Sequence, residues 1–158
     1  MIPGIGDVNA KKLIAYCGGA EAVFQEKKKN LLQISGIGER TVESIVSQTV
    51  LLRAEKELIF AERNGIRILY YLNPDYPKRL QHCYDSPVII YCNGYTDLNV
   101  EKIVGVVGTR NITEYGKMLT EKLIYELVDD NVLVVSGLAY GVDTCAHKAA
   151  LKNDLKTA

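Results

Sequence analysis

The sequence predicts a mixed α/β protein in two parts, an α-helical tandem helix-hairpin-helix domain over residues 1–63 followed by the N-terminal portion of a doubly wound, mostly parallel sheet over residues 64–158. Three observations carry that reading. Through the first 63 residues apolar side chains recur at spacings of three and four, as in Val42, Ile45 and Val46, which is the periodicity of one helix face. Ile2-Pro3-Gly4-Ile5-Gly6-Asp7 and Ile34-Ser35-Gly36-Ile37-Gly38-Glu39 are the same element, repeated with Ala10 and Leu13 matched by Val42 and Ile45. From Ile103 onward the pattern becomes strand, glycine turn, helix, twice in succession, and strands alternating with helices belong to parallel sheets.

Each Gly-hydrophobic-Gly element reverses the chain between two helices where a Cβ is unwelcome, and its central Ile, Ile5 or Ile37, plugs the small core between them. Asn64-Gly65 closes the helical part as a C-cap and turn. A strand is expected over Ile66 to Tyr71, then the loop Asn73-Pro74-Asp75-Tyr76-Pro77, a short helical or irregular stretch through Tyr84, and a second strand from Val88 to Cys92 after Ser86-Pro87. The last third reads as strand Ile103 to Val107, helix from about Tyr115 to Asp129, strand from about Val132 to Ser136, and helix from about Val142 to Leu151. Both ends look cut: only Met1 and Ile2 precede the first hairpin, and Leu155-Lys156-Thr157-Ala158 has the character of a strand that has just begun.

Composition narrows the function classes. Lys plus Arg and Asp plus Glu are equal at 19 each among 158 residues, and the charges also balance within each stretch, so nucleic-acid binding has to come from local clustering of donors. Cys17, Cys83, Cys92 and Cys145 include no close pair of the kind that metal knuckles or redox dithiols use, and they read as buried or free thiols. No signal peptide and no apolar run of membrane-spanning length is present, which points to a cytoplasmic location and no membrane partner.

The chemistry concentrates at the two glycine turns, Val107-Gly108-Thr109-Arg110-Asn111 and Ser136-Gly137-Leu138-Ala139-Tyr140-Gly141. In a parallel sheet the carboxyl ends of neighbouring strands face one edge, and helix N-termini there turn unpaired N–H groups toward a phosphate. Gly108, Thr109, Arg110 and Asn111 offer close backbone approach, a hydroxyl and a forked guanidinium; the alternative is an ordinary strand-to-helix turn with a surface Arg. Ser136, Gly137, Ala139 and Gly141 admit the same two readings, and their small side chains favour the ligand. The hairpins are ambiguous. Lys11, Lys12 and Arg40 flank them, but Asp7 and Glu39 stand where a phosphate would approach, so a scaffold or partner-docking role is favoured over DNA contact. Asp143 and His147, four apart on the last helix, suit a pair with each other; no third partner suggests a metal or catalytic site. Tyr115 and Tyr140 flank the turns and either stack on bases or simply pack. Lys27-Lys28-Lys29 reads as a solvated loop.

The order of these pieces resembles the DprA/Smf family of DNA-processing proteins along essentially the whole chain. The specific matches are Gly108, Thr109 and Arg110 with the family's G-S/T-R motif, and the run SGLAYGVDTCAH from Ser136 to His147 with its SG-A-G-D-AH pattern. Ile112 departs from the Pro common after the Asn, a change that touches turn rigidity more than chemistry. The resemblance implies a SAM-like helical domain before an extended Rossmann-like one. It implies a single-stranded-DNA-binding mediator of natural transformation that protects incoming DNA and loads the RecA recombinase, with Arg110 on the DNA backbone. It also implies a homodimer in the full-length family, built from segments that follow the SG-A-G-D run and so lie after residue 158. Neither a catalytic residue nor a cofactor nor a metal is called for. The rival reading is a nucleoside-monophosphate-binding or hydrolysing enzyme of the lonely-guy type, whose PGG-GT-E signature would fall after residue 158; the hairpin repeat argues against it. A third reading is a pure interaction module with a vestigial glycine pocket.

Overall fold

The two Gly-Ile-Gly turns fold alike. In the computed structural model, which describes residues 2–158, Gly4 and Gly36 have φ of 78° and 86°, and Gly6 and Gly38 cap the following helices in extended backbone with φ of −88° at both. The left-handed conformation of Gly4 and Gly36 is one that side-chain-bearing residues rarely adopt, and it turns the chain sharply into the helix. The helices so started are α1 (Asp7–Cys17) and α4 (Glu39–Val46), with α2 (Ala20–Gln25) and the short α3 (Lys28–Leu31) between them.

Leu13, Val23, Leu31, Ile34, Ile37, Val42 and Ile45 form the buried core of this part, and Ile5 packs partly buried against it. Each fully buried aliphatic side chain of this kind contributes roughly 1.5–3 kcal/mol from water exclusion. The repeats also meet crosswise. Asn9 donates from Nδ2 to the carbonyl of Gly36 at 3.4 Å, and Thr41, its equivalent in the second repeat, stands beside Gly4. Equivalent residues touching each other's turns is the mark of an approximate two-fold relation between the repeats.

After α4 come α5 (Leu51–Arg63), β1 (Ile66–Tyr70), α6 (Lys78–Gln81) and β2 (Ile89–Asn93). Here the structure corrects the sequence reading. β1 and β2 do not join a parallel sheet; they pair with each other antiparallel, with Ile66 opposite Asn93 and Tyr70 opposite Ile89. The connecting loop folds back around fully buried Tyr76, whose hydroxyl donates to the Pro87 carbonyl at 2.6 Å. This pair is also tied to α1. The amide of Val88 donates to Asp7 Oδ1 at 2.8 Å, and Lys11 Nζ donates to Ser86 Oγ at 2.6 Å while lying over the Tyr71 ring. The first compact unit accordingly runs through Gly94, and the second is Tyr95–Ala158, whereas the sequence reading placed the division at 63/64.

The second unit holds β3 (Ile103–Gly105), α7 (Glu114–Glu126), a 3-10 turn (Val128–Asp130), β4 (Leu133–Val135) and α8 (Val142–Lys152). β3 and β4 are parallel in the register Ile103 to Leu133 and Gly105 to Val135. Lys156 to Ala158 then runs parallel along the other side of β4, where Val134 donates to Lys156 and Ala158 donates back to Val134, both at 3.0 Å. β4 is therefore the central strand. Val106, Val132 and Val134 meet Ile124 of α7 and Ala146, Ala149 and Ala150 of α8 in one core, the alanines letting α8 lie close to the strands. No helix among the described residues is long and apolar enough to cross a membrane.

Candidate nucleic-acid interface

Both glycine turns lie at the carboxyl ends of β3 and β4, and they are built against each other. The carbonyl of Thr109 accepts from the amide of Val142, the first residue of α8, at 3.1 Å. A Cβ on Gly108 would fall 2.6 Å from Val142 Cγ2, and one on Gly141 would overlap the Thr109 carbonyl oxygen and lie 2.6 Å from that of Arg110. Both glycines are thus required by turn-to-turn packing, whatever else they do. Ser136 fastens the strand ends below, donating from Oγ to the Val106 carbonyl at 2.6 Å.

The second turn is clamped at both ends. Gly137 donates its amide to Asp143 Oδ2 at 3.1 Å, and the Ala139 carbonyl accepts from Thr144 Oγ1 at 2.6 Å and from the Thr144 amide at 3.1 Å. In the first turn Thr109 Oγ1 accepts from the Asn111 amide at 3.2 Å, and Thr113 starts α7 by accepting from Gly116 at 3.1 Å. Among the described residues the amides of Gly108, Thr109, Arg110, Leu138, Ala139 and Tyr140 meet no protein acceptor, and the Arg110 guanidinium, exposed beside them, makes no ion pair or hydrogen bond. Asp143, the carboxylate closest in sequence to the second turn, is buried and turned onto Gly137. Open amides and one unpaired guanidinium, with no acidic residue in either turn, make a surface suited to an anion.

The sequence profile of the DNA recombination-mediator protein A family matches residues 67–158, the stretch that contains both turns. The chain belongs to this family. Its relatives include Protein Smf of Synechocystis, 29% identical over 99% of this chain and 40% of that protein. The DNA processing protein DprA of Streptococcus pneumoniae is 43% identical over 54% of this chain and 30% of its own length, and that of Bacillus subtilis 37% identical over 56% and 30%. The X-ray structure of the pneumococcal DprA superposes with a TM-score of 0.75 at 31% identity, covering 98% of this chain and 52% of that one. The chain thus spans about half or less of the length of these DprA/Smf relatives.

All eight of the residues singled out in the sequence fall on this edge: Gly108, Thr109, Arg110 and Asn111 exposed on one turn, Ser136, Gly137, Ala139 and Gly141 on the other. The expected pair of Asp143 with His147 does not form. Asp143 is taken by Gly137, and His147 Nδ1 instead meets Thr157 Oγ1 at 2.6 Å. Because the Thr157 hydroxyl donates to the Val134 carbonyl at 2.9 Å, Nδ1 must be the donor to Thr157, and His147 serves to fix the strand segment at the chain's end. Burial, and further Glu121, push the Cys145 thiol above its ordinary value, against smaller opposing effects of Lys117 and Lys148.

The hairpins fare differently from the turns. Lys11 is committed to Ser86 and Asp7 to Val88, while Glu39 pairs with Lys28 at 3.4 Å. Both acidic residues and Lys11 are thus engaged within the first unit, while the side chains of Lys12 and Arg40 make no hydrogen bond or ion pair among the described residues. Sequence reasoning missed the roles of Val142, Thr144 and Thr157. The one available signal was the β-branched or hydroxyl character of Val142 and Thr144 just after a glycine turn, which is common enough to carry little weight.

Proposed function

We propose that this chain is the DNA-holding part of a single-stranded-DNA-binding recombination mediator of natural transformation, which protects incoming strands and loads the RecA recombinase. The observation that carries the reading is the unpaired Arg110 guanidinium beside the open amides of Gly108, Thr109 and Arg110. That donor set matches a phosphodiester, which brings a negative charge and acceptor oxygens but no sequence information. Membership in the DNA recombination-mediator protein A family and likeness to proteins named for DNA processing support the same ligand. Within this reading, the helical first 63 residues act as a tandem helix-hairpin-helix scaffold, and the second unit, Tyr95–Ala158, opens a Rossmann-like domain whose full-length form is a homodimer. The roles of Asn111, Ser136, Gly137, Ala139 and Gly141 are to shape the rim around Arg110.

Binding of a labelled oligothymidylate, followed by fluorescence anisotropy across a salt series, tests the proposal. The unaltered protein is expected to lose affinity steeply with salt. Arg110→Ala is expected to bind at least about fivefold more weakly, with a salt slope shallower by about 0.7 for each phosphate that the arginine neutralises. Equal affinity of the two proteins at every salt concentration would remove Arg110 from the interface and the proposal with it.

A further inference from the structure

Tyr140 stands at the phosphate rim with its ring in solvent, 85% exposed, and Leu138 next to it is 75% exposed. Leu138 holds a left-handed conformation, φ 54°, that a branched apolar residue seldom adopts without a reason. The clamps on the turn supply the means. Gly137 is bound to Asp143 before Leu138, and the Ala139 carbonyl takes both donors of Thr144 after it, so the residues between and beside them are presented outward on a fixed backbone. The backbone of Tyr140 also lies near that of Arg110. Its neighbour Gly141 packs directly on the Thr109 and Arg110 carbonyls, and consecutive Cα atoms are about 3.8 Å apart.

An exposed aromatic ring on a preordered loop, adjacent to a phosphate-binding cation, is the arrangement that holds unpaired bases: the cation takes the backbone and the ring takes a base face. We propose that Tyr140 is a base-stacking residue of this site, making the rim selective for unpaired nucleotides over a bare phosphate backbone and over duplex, whose bases are already stacked. This rests on the phosphate rim described under the proposed function. Stacking needs only a π-face, so it carries no base preference of its own. The phenolic hydroxyl plays no part in it.

Two oligonucleotides of equal length, oligothymidylate and an abasic strand with the same number of phosphates, separate the contributions of ring and rim. Tyr140→Ala is expected to weaken oligothymidylate binding about fivefold or more while leaving the abasic strand unchanged, and Tyr140→Phe to bind both as the unaltered protein does. Equal losses on both strands, no loss on either, or equal affinity of the unaltered protein for the two would overturn the stacking role. Arg110→Ala serves as the companion variant. Weaker binding to both strands upholds the phosphate rim, whereas unchanged binding to both defeats the rim reading while the two Tyr140 variants still report on stacking. Because the ring is in solvent, the substitutions leave the core untouched, and an unchanged thermal transition confirms that each variant is folded.

Discussion

At Gly141 the backbone has φ 88° and ψ −126°, and the space where a Cβ would stand is filled by the carbonyls of Thr109 and Arg110. Conformational strain of that kind costs about 1–3 kcal/mol for a residue with a side chain, and the overlap with two carbonyl oxygens adds to it. Gly141→Ala is therefore expected to destabilise the protein by at least about 2 kcal/mol in chemical denaturation. Gly6→Ala, at a position with ordinary φ and nothing within 4 Å of the added carbon, is expected to change stability by no more than about 0.5 kcal/mol. Comparable losses at the two sites would contradict the packing of the turns. That the two glycine turns share one edge was readable in the sequence, because the carboxyl ends of neighbouring parallel strands face the same way. The partners of Asp143 and His147 were not. Helical spacing brings the two within reach of each other, but a loop amide and a hydroxyl distant in sequence compete for them, and only the folded chain decides between the offers.

The elements followed the sequence where local physics governs them. α7 begins at Glu114 because Thr113 supplies a side-chain acceptor to the Gly116 amide, and Asn131, with φ 48°, closes the 3-10 turn that follows the helix. Loss of a cap of this kind costs about 1 kcal/mol. Thr113→Ala is expected to lower the thermal midpoint by a few degrees, and Thr113→Ser to restore it; equal midpoints for all three proteins would show that the cap does not matter. The strand runs Ile66 to Tyr70 and Ile89 to Asn93 were also visible as apolar segments. Their antiparallel pairing was not, since orientation depends on how a loop returns, and here the return is set by Tyr76 on Pro87 and by Asp7 on Val88, the latter reaching 81 residues along the chain. The hairpin repeat was legible from its glycines alone, because the left-handed conformation at Gly4 and Gly36 leaves little choice of residue.

At the scale of the whole chain, two units offer two candidate surfaces for nucleic acid: the paired Gly-Ile-Gly turns in the first and the clamped turns at the edge of β3 and β4 in the second. Charge alone does not decide between them. Lys11, Asp7 and Glu39 are engaged near the hairpins, but the side chains of Lys12 and Arg40 there, like that of Arg110, make no hydrogen bond or ion pair among the described residues; the family match, over residues 67–158, favours the second surface. A zero net charge leaves no general basic field to draw in DNA, so under the proposed function local donors set where a strand settles. Amide chemical-shift mapping during titration with oligothymidylate tests this most directly, and a chain of 17.5 kDa is well within its range. The expected result is a contiguous set of shifts at Gly108 to Asn111 and Leu138 to Tyr140, diminished in Arg110→Ala. Shifts confined to Gly4 to Asp7 and Gly36 to Glu39, with the residues around Arg110 silent, would contradict it and move the DNA to the hairpins.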